Sequence, residues 1–206
     1  EAIPLSFRLP EGKTVRLGVG ATTKRDAIIV KVVSDDGVIG YGEAHPGRSP
    51  GAIVSLIHNT LAPMLTGLSV HDTNSVWTRV NRMQLSSHGL GAGAALALSG
   101  IDMALWDLRA KSLGIPLYSL LGGSRKPIAA YAGGISMGFQ APDALAEEAQ
   151  SYVDRGYRAV KLRLGDNPKD DIARVQRVRT QLGDQITILV DANTSYSVSD
   201  ARAVLP

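Results

Sequence analysis

From about residue 127 the sequence keeps a fixed rhythm, and that rhythm limits the folds open to it more than any other feature. Three short apolar runs with strand character start at Ala129, Ala159 and Ile186, spaced 30 and 27 residues apart. Between them lie stretches of helical length and pattern, "APDALAEEAQSYVDRG" and "NPKDDIARVQRVRTQLGD". The second carries Asp170 and Asp171 in its opening turn, where the helix dipole favours anions. Joining parallel strands requires a crossover, and a helix is the usual one. The pace is that of a (β/α) barrel, in which ~250 residues serve eight units, and an open parallel sheet would share it. Three strands fall within the 206 residues, so the reading is the first part of a TIM-type barrel, three of about eight strands. The native polypeptide is then expected to continue for roughly 150 residues. Three strands cannot close a barrel, and their open edges invite aggregation, so these residues alone are expected to be insoluble or inactive.

The preceding stretch is organised differently. "AIIVKVVSDDGVIGYGEA" is an apolar run, an Asp-Asp-Gly turn and a second run, the pattern of a β-hairpin. From "SPGAIVSLIHNTLAPML" to about Lys111 the pattern is helical. The strongest helix is "SGIDMALWDLRAKSLG", with Ile101, Ala104, Leu105 and Leu108 on one face and Gly114 as its stop. The Gly- and Pro-bearing "LLGGSRKP" marks a boundary. The organisation expected is therefore an α+β domain over 1–124 followed by a truncated barrel domain over 125–206.

Composition narrows the function classes. With 22 basic against 19 acidic side chains the net charge is +3 and no basic block stands out, which argues against a nucleic-acid partner. There is no cysteine, so disulfides, thiolate nucleophiles and cysteine zinc sites are excluded. The most apolar stretch, "LGAGAALALSGIDMALW", is broken by Gly91, Gly93, Gly100 and Asp102 and falls short of a membrane span. No export leader is visible at the start, so a cytoplasmic location is expected.

In "AVKLRLG", residues 159–165, Lys161 and Arg163 stand two apart and so share one face of a strand. At the C-terminal end of a barrel strand that face borders the substrate site. Adjacent like charge and burial both depress a lysine pKa, and a neutral lysine can accept a proton. The alternative is a pair of solvated charges on an edge strand. Asp191 ends the run "ILVDAN", where a carboxylate suits a hard cation such as Mg²⁺. Asn193, two residues on, could orient a substrate or the metal. A turn or helix-cap pair would use the same two residues. The loop "YGEAHPGRSPG" offers Glu43, His45 and Arg48, the last suited to a carboxylate. His45, Arg48 and His88 are the candidates for substrate contact.

Together these segments resemble the enolase superfamily, in its mandelate racemase/muconate lactonizing enzyme branch. The run "ALSGIDMALWDLRAKSLGIPLYSLLG", residues 97–122, is similar to that branch's N-terminal signature almost throughout. "KLR" stands where the family has Lys-x-Lys on its second barrel strand, and "DAN" where it has Asp-x-Asn on the third. The resemblance implies an α+β capping domain on the barrel and a homo-oligomer. It also implies Mg²⁺-assisted removal of the proton α to a carboxylate through an enediolate. Asp191 would be the first of three carboxylate ligands, the others following on later strands together with a second, histidine acid/base. The departure is Arg163, since arginine stays protonated and is a poor base. Either a histidine on a later strand abstracts the proton while Lys161 and Arg163 stabilise charge, or Lys161 is the acid/base. A one-sided base fits dehydration of an acid sugar. A racemase or epimerase using Lys161 is the alternative, cycloisomerisation is placed behind it, and a non-catalytic binding module is the rival from another class.

Overall fold

The structure, a computed structural model, describes residues 1–206 apart from 12–13, 18–19, 87–90, 135–136 and 205–206. It divides into two units, one of Glu1–Arg8 and Lys24–Lys126, the other of Leu9–Thr23 and Pro127–Pro206.

In the first unit, strands β1 (Ala2–Arg8), β4 (Lys24–Val33) and β5 (Ile39–Ala44) form an antiparallel sheet in the order β1-β4-β5. β4 contains the β-branched run Ile28, Ile29, Val30, Val32 and Val33, which suits a pleated, half-buried surface. The expected hairpin turn is present: Gly37, at φ 85°, donates its N–H to Ser34 O, and Ser34 N–H reaches Val38 O. Helices follow at α1 (Pro50–Leu56), α2 (Ala62–Leu65), α3 (Thr73–Val80), α4 (Gly91–Ser112) and α5 (Leu117–Leu120). Single π-helical stretches, Ile57–Leu61 and Asn81–Ser86, carry the chain between α1 and α2 and onward from α3. α4 is the expected signature helix, extended by two turns towards its N-terminus. It ends where read, with Ile115 N–H reaching back to Ala110 O around Gly114 at φ 66°. Ile28, Val30 and Ala44 from the sheet pack with Ile53, Ile57, Leu61, Val76, Val80, Leu98, Ile101 and Leu105 from the helices. No described helix is long and apolar enough to cross a membrane.

In the second unit, β2 (Val15–Leu17) and β3 (Gly20–Thr22) form a small antiparallel hairpin. Next come α6 (Pro142–Asp154), β6 (Ala159–Arg163), α7 (Pro168–Leu182), β7 (Thr187–Asp191) and α8 (Val198–Val204). β6 and β7 pair in parallel, joined by α7 as the crossover. α7 starts on a side-chain cap, Asn167 Oδ1 accepting from Asp170 N–H at 3.0 Å. Val160 and Leu162 on one face of β6 pack against Leu145, Ala146, Ala149, Val178 and Met137.

The reading of three barrel strands is met in part. Two full strands are present among the described residues, and the run beginning at Ala129 contributes a single parallel bridge, Ala132 to Val160. Ala132 N–H donates to Ala159 O and Ala132 O accepts from Lys161 N–H, after which the next bond to β6 is from Arg163 N–H to Met137 O. Gly134, two residues after the bridge, takes φ 59°, outside the extended conformation.

Candidate active site

Alternation along β6 sends Val160 and Leu162 into the helix-covered core and leaves Lys161 and Arg163 on the opposite face. The parallel register sets Arg163 beside Asp191 and Lys161 beside Leu189. Lys161 reaches diagonally, its Nζ 2.8 Å from Asp191 Oδ2, with both side chains about a third exposed, 30% and 33%. Its ammonium also lies 5.8 Å from the centre of the Tyr131 ring. Asp191 Oδ1 accepts the N–H of Asn193 at 2.9 Å. Asn193 Oδ1 in turn accepts from Arg163 Nη1 at 3.3 Å. Arg163 Nε is buried and finds no partner among the described residues. Over this arginine the backbone is tightly confined, since a Cβ at Gly138 would lie 2.2 Å from Arg163 O.

The electrostatics differ from the expectation of a lysine depressed by its neighbour. The hydrogen bond that Lys161 donates to Asp191 raises the Lys161 pKa above the ordinary lysine value, and the opposing influence of Arg163 is smaller. The same bond, with that from Asn193 N–H, lowers the Asp191 carboxyl below the ordinary range. Opposite charge at contact distance outweighs like charge farther away. In this arrangement Lys161 is an ammonium and Asp191 a carboxylate.

The turn after β7 is strained. Asn193 and Thr194 take left-handed conformations at φ 48° and 62°, which a β-branched residue rarely adopts. Ser195 Oγ holds the turn by donating to Ala192 O at 2.6 Å. Such strain persists only where neighbouring contacts enforce it.

Four of the residues singled out in the sequence, Lys161, Arg163, Asp191 and Asn193, are therefore assembled at the carboxyl ends of two adjacent strands. His45 and Arg48 belong to the first unit, on the loop after β5. His45 Nδ1 accepts the N–H of Gly47 at 3.0 Å, closing a local turn, and Arg48 is exposed at φ 63°. His88 lies outside the described residues. Asp191 supplies an oxygen donor of the kind a hard divalent cation prefers. Among the described residues, no group of three or more His, Asp or Glu stands close enough to hold a metal, so the chain fits such an ion as one ligand of a larger set.

Sequence reasoning missed Tyr131, Tyr196 and the buried role of Asp171. Asp171 was read as a helix-dipole residue, yet its side chain is fully buried. The available signal was the run of two aspartates after an Asn cap, where a helix start needs only one.

The model of the family described as Mandelate racemase / muconate lactonizing enzyme, N-terminal domain, matches residues 6–122, and that described as Enolase C-terminal domain-like matches residues 144–206. Among curated relatives, a 3,6-anhydro-alpha-L-galactonate cycloisomerase from Streptomyces coelicolor is 32% identical over 99% of the chain and 56% of its own length. An L-Ala-D/L-Glu epimerase from Bacillus subtilis is 28% identical over 94% of the chain and 52% of its own. A D-gluconate dehydratase from Thermoproteus tenax is 35% identical over 85% and 37%. The chain thus spans about half the length of the first two and less of the third. Of solved structures, a member of the enolase superfamily from Polaromonas sp. JS666 superposes with a TM-score of 0.96 at 64% identity, over 100% of the chain and 54% of its own. A racemase from Streptomyces coelicolor with bound magnesium gives 0.85 at 28% identity, over 98% and 57%.

Proposed function

The chain belongs to the mandelate racemase/muconate lactonizing enzyme family of the enolase superfamily, and from that premise we propose that it carries one side of a Mg²⁺-dependent active site. That site removes the proton α to a substrate carboxylate, and the substrate favoured is an acid sugar, which loses water. The observation that carries the reading is the pairing of Lys161 with Asp191 across the ends of β6 and β7, with Arg163 and Asn193 beside them.

The substrate is an anion that becomes more anionic as its α-proton leaves. Two cations fixed on one strand face stabilise that growing charge, and more strongly in a dry pocket than in water. Arg163 is a permanent cation and supplies no base. Its permanent charge and its contact with Asn193 suit it to hold the substrate carboxylate. Lys161, kept protonated by Asp191, stabilises the enediolate or donates a proton. Asn193 orients both Arg163 and the substrate. Asp191 fits Mg²⁺ as one oxygen ligand. The remaining ligands, and the base, would come from the part of the relatives' length that the chain does not span. When bound, Mg²⁺ supplies positive charge against the substrate carboxylate. In dehydration, breaking the α C–H bond is followed by departure of the β-hydroxyl with a proton, leaving an enol that becomes the 2-keto acid.

Racemisation or epimerisation is the second reading, supported by Lys161 as a titratable group on the site-facing strand and by the similarity to the Bacillus subtilis epimerase. The family resemblance further supports a homo-oligomeric, cytoplasmic enzyme acting on small carboxylates. The test incubates the native gene product with Mg²⁺ and a panel of sugar acids and dipeptides in D₂O, followed by mass spectrometry and chiral chromatography. Loss of one water is expected. Deuterium in otherwise intact, inverted substrate would establish the second reading, and an isobaric product of new retention would move the assignment to cycloisomerisation. No exchange and no product across the panel would sink the α-proton chemistry.

A further inference from the structure

Beside the four site residues lies a buried carboxylate to which the proposed chemistry assigns no part. Asp171, in the first turn of α7, is fully buried. Its Oδ2 accepts the backbone N–H groups of Gly165 at 2.9 Å and Asp166 at 3.1 Å, and the hydroxyl of Tyr196. Its Oδ1 accepts from Arg174 Nη1 at 2.9 Å. Gly165 and Asp166 begin the loop after β6, two residues past Arg163. Tyr196 closes the loop after β7, three residues past Asn193. One carboxylate therefore holds both loops.

A second observation is independent of Asp171. A Cβ at Gly165 (φ 105°) would lie 2.7 Å from Ser195 Oγ and 2.8 Å from Ala192 O, so the two loops are in close contact. The loop on the far side of that contact contains the left-handed Asn193 and Thr194. Hydrogen bonds to Asp191 and Ala192 fix this turn at its start. Downstream, Tyr196 fixes it through Asp171. Arg174 anchors the carboxylate further, its Nη2 3.0 Å from Asp166 Oδ2 and its Nε 3.2 Å from Gln140 O. Burial and the neighbouring carboxylate both raise the Tyr196 pKa, so the hydroxyl stays a proton donor.

We propose that Asp171 and Tyr196 are positioning residues for the reaction, clamping the loops after β6 and β7 so that Arg163 and Asn193 stay aligned towards the substrate. The role in turnover rests on the α-proton chemistry proposed above, but the clamp itself does not. It acts through backbone and turn geometry, and neither residue touches the substrate.

Tyr196→Phe in the native gene product removes one hydrogen bond and keeps the ring. Hydrogen exchange is expected to accelerate about tenfold or more at the amides of residues 192–195, with those of α6 unchanged. In turnover, kcat/KM is expected to fall roughly tenfold, within what a displaced positioning group causes. KM should rise several-fold, because Arg163 and Asn193 grip the anionic substrate. A loss of folded enzyme alone would lower kcat and leave KM unchanged, and that pattern would overturn the positioning role. Asp171→Asn keeps one acceptor and should reproduce the same split more strongly. Should Asp171→Asn fail to fold, Tyr196→Phe decides the matter alone. Wild-type exchange rates and kinetics in Tyr196→Phe would refute the clamp. Faster exchange at 192–195 in a protein inactive on every substrate would keep the clamp and discard the reaction.

Discussion

Helix α4 lies so close to strand β5 that a single methyl group separates a stable first unit from a disrupted one. A Cβ built on Gly42 would sit 2.2 Å from Gly100 O, 2.7 Å from Ala104 N and 3.0 Å from Met103 Cβ. Two of these neighbours are helix backbone and cannot rotate away. Restoring an ordinary contact requires the helix to retreat by more than about 1 Å. That displacement would lift Ala97, Ile101, Ala104 and Leu105 from their places against Ile28, Val30 and Ala44. Overpacking of this kind costs typically 1–3 kcal/mol, and the backbone clash places Gly42→Ala at about 3 kcal/mol or more. For a unit of this size, between the ranges for smaller and larger domains, that is roughly 9–18 °C in Tm. Gly51→Ala is the control. It lies in the first turn of α1, nothing stands within 4 Å of its Cβ, and its φ is not in the left-handed region. This variant is expected to be neutral or more stable by up to about 1 kcal/mol. Thermal and urea unfolding of the native gene product, followed by circular dichroism, would read both. A Gly42→Ala protein within about 1 kcal/mol of wild type, at unchanged m-value, would refute the backbone-contact argument.

Three further outcomes are expected. Leu145→Ala empties a fully buried position of the second unit's core and should destabilise by about 2–5 kcal/mol in urea unfolding. Burial raises the Asp102 carboxyl above its ordinary range, the Trp106 indole opposing this only in part. The folded state therefore holds the proton more tightly than the unfolded one, and the resulting stability is lost as pH rises through the raised value. Asp102→Asn should then melt higher than wild type at neutral pH, the difference vanishing below about pH 4. An unchanged gap across the titration would contradict this. Lys161→Met breaks a pair that is about a third exposed and should leave the melting temperature nearly unchanged. Turnover by that variant should drop roughly hundredfold or more, and undiminished activity would remove Lys161 from the chemistry.

How legible each element was depended on how local its cause is. The α7 helix with Asp170 and Asp171 in its first turn, the Gly114 stop of α4 and the Asp35-Asp36-Gly37 hairpin depend on residues a few positions apart, and each is found where read. The run from Ala129 had the composition of a strand but contributes a single bridge among the described residues, an outcome that composition does not encode. Lys161 was read against its neighbour on the same strand. Its charge state is set instead by Asp191, thirty residues on and one strand across.

The sequence by itself determined which residues could do chemistry and the rhythm that carries them. Period two placed Lys161 and Arg163 on one face, and a strand–helix repeat brought Asp191 to the next strand. Only the tertiary structure decided how these charges meet. The parallel register aligns Arg163 with Asp191, and the turn after β7 carries Asn193 back to Arg163. Buried Asp171 ties the two loops together. The physical reason is range. Propensity and periodicity act between neighbours in the chain, whereas ion pairs, orphaned donors and loop clamps depend on distances that exist only once the strands have paired.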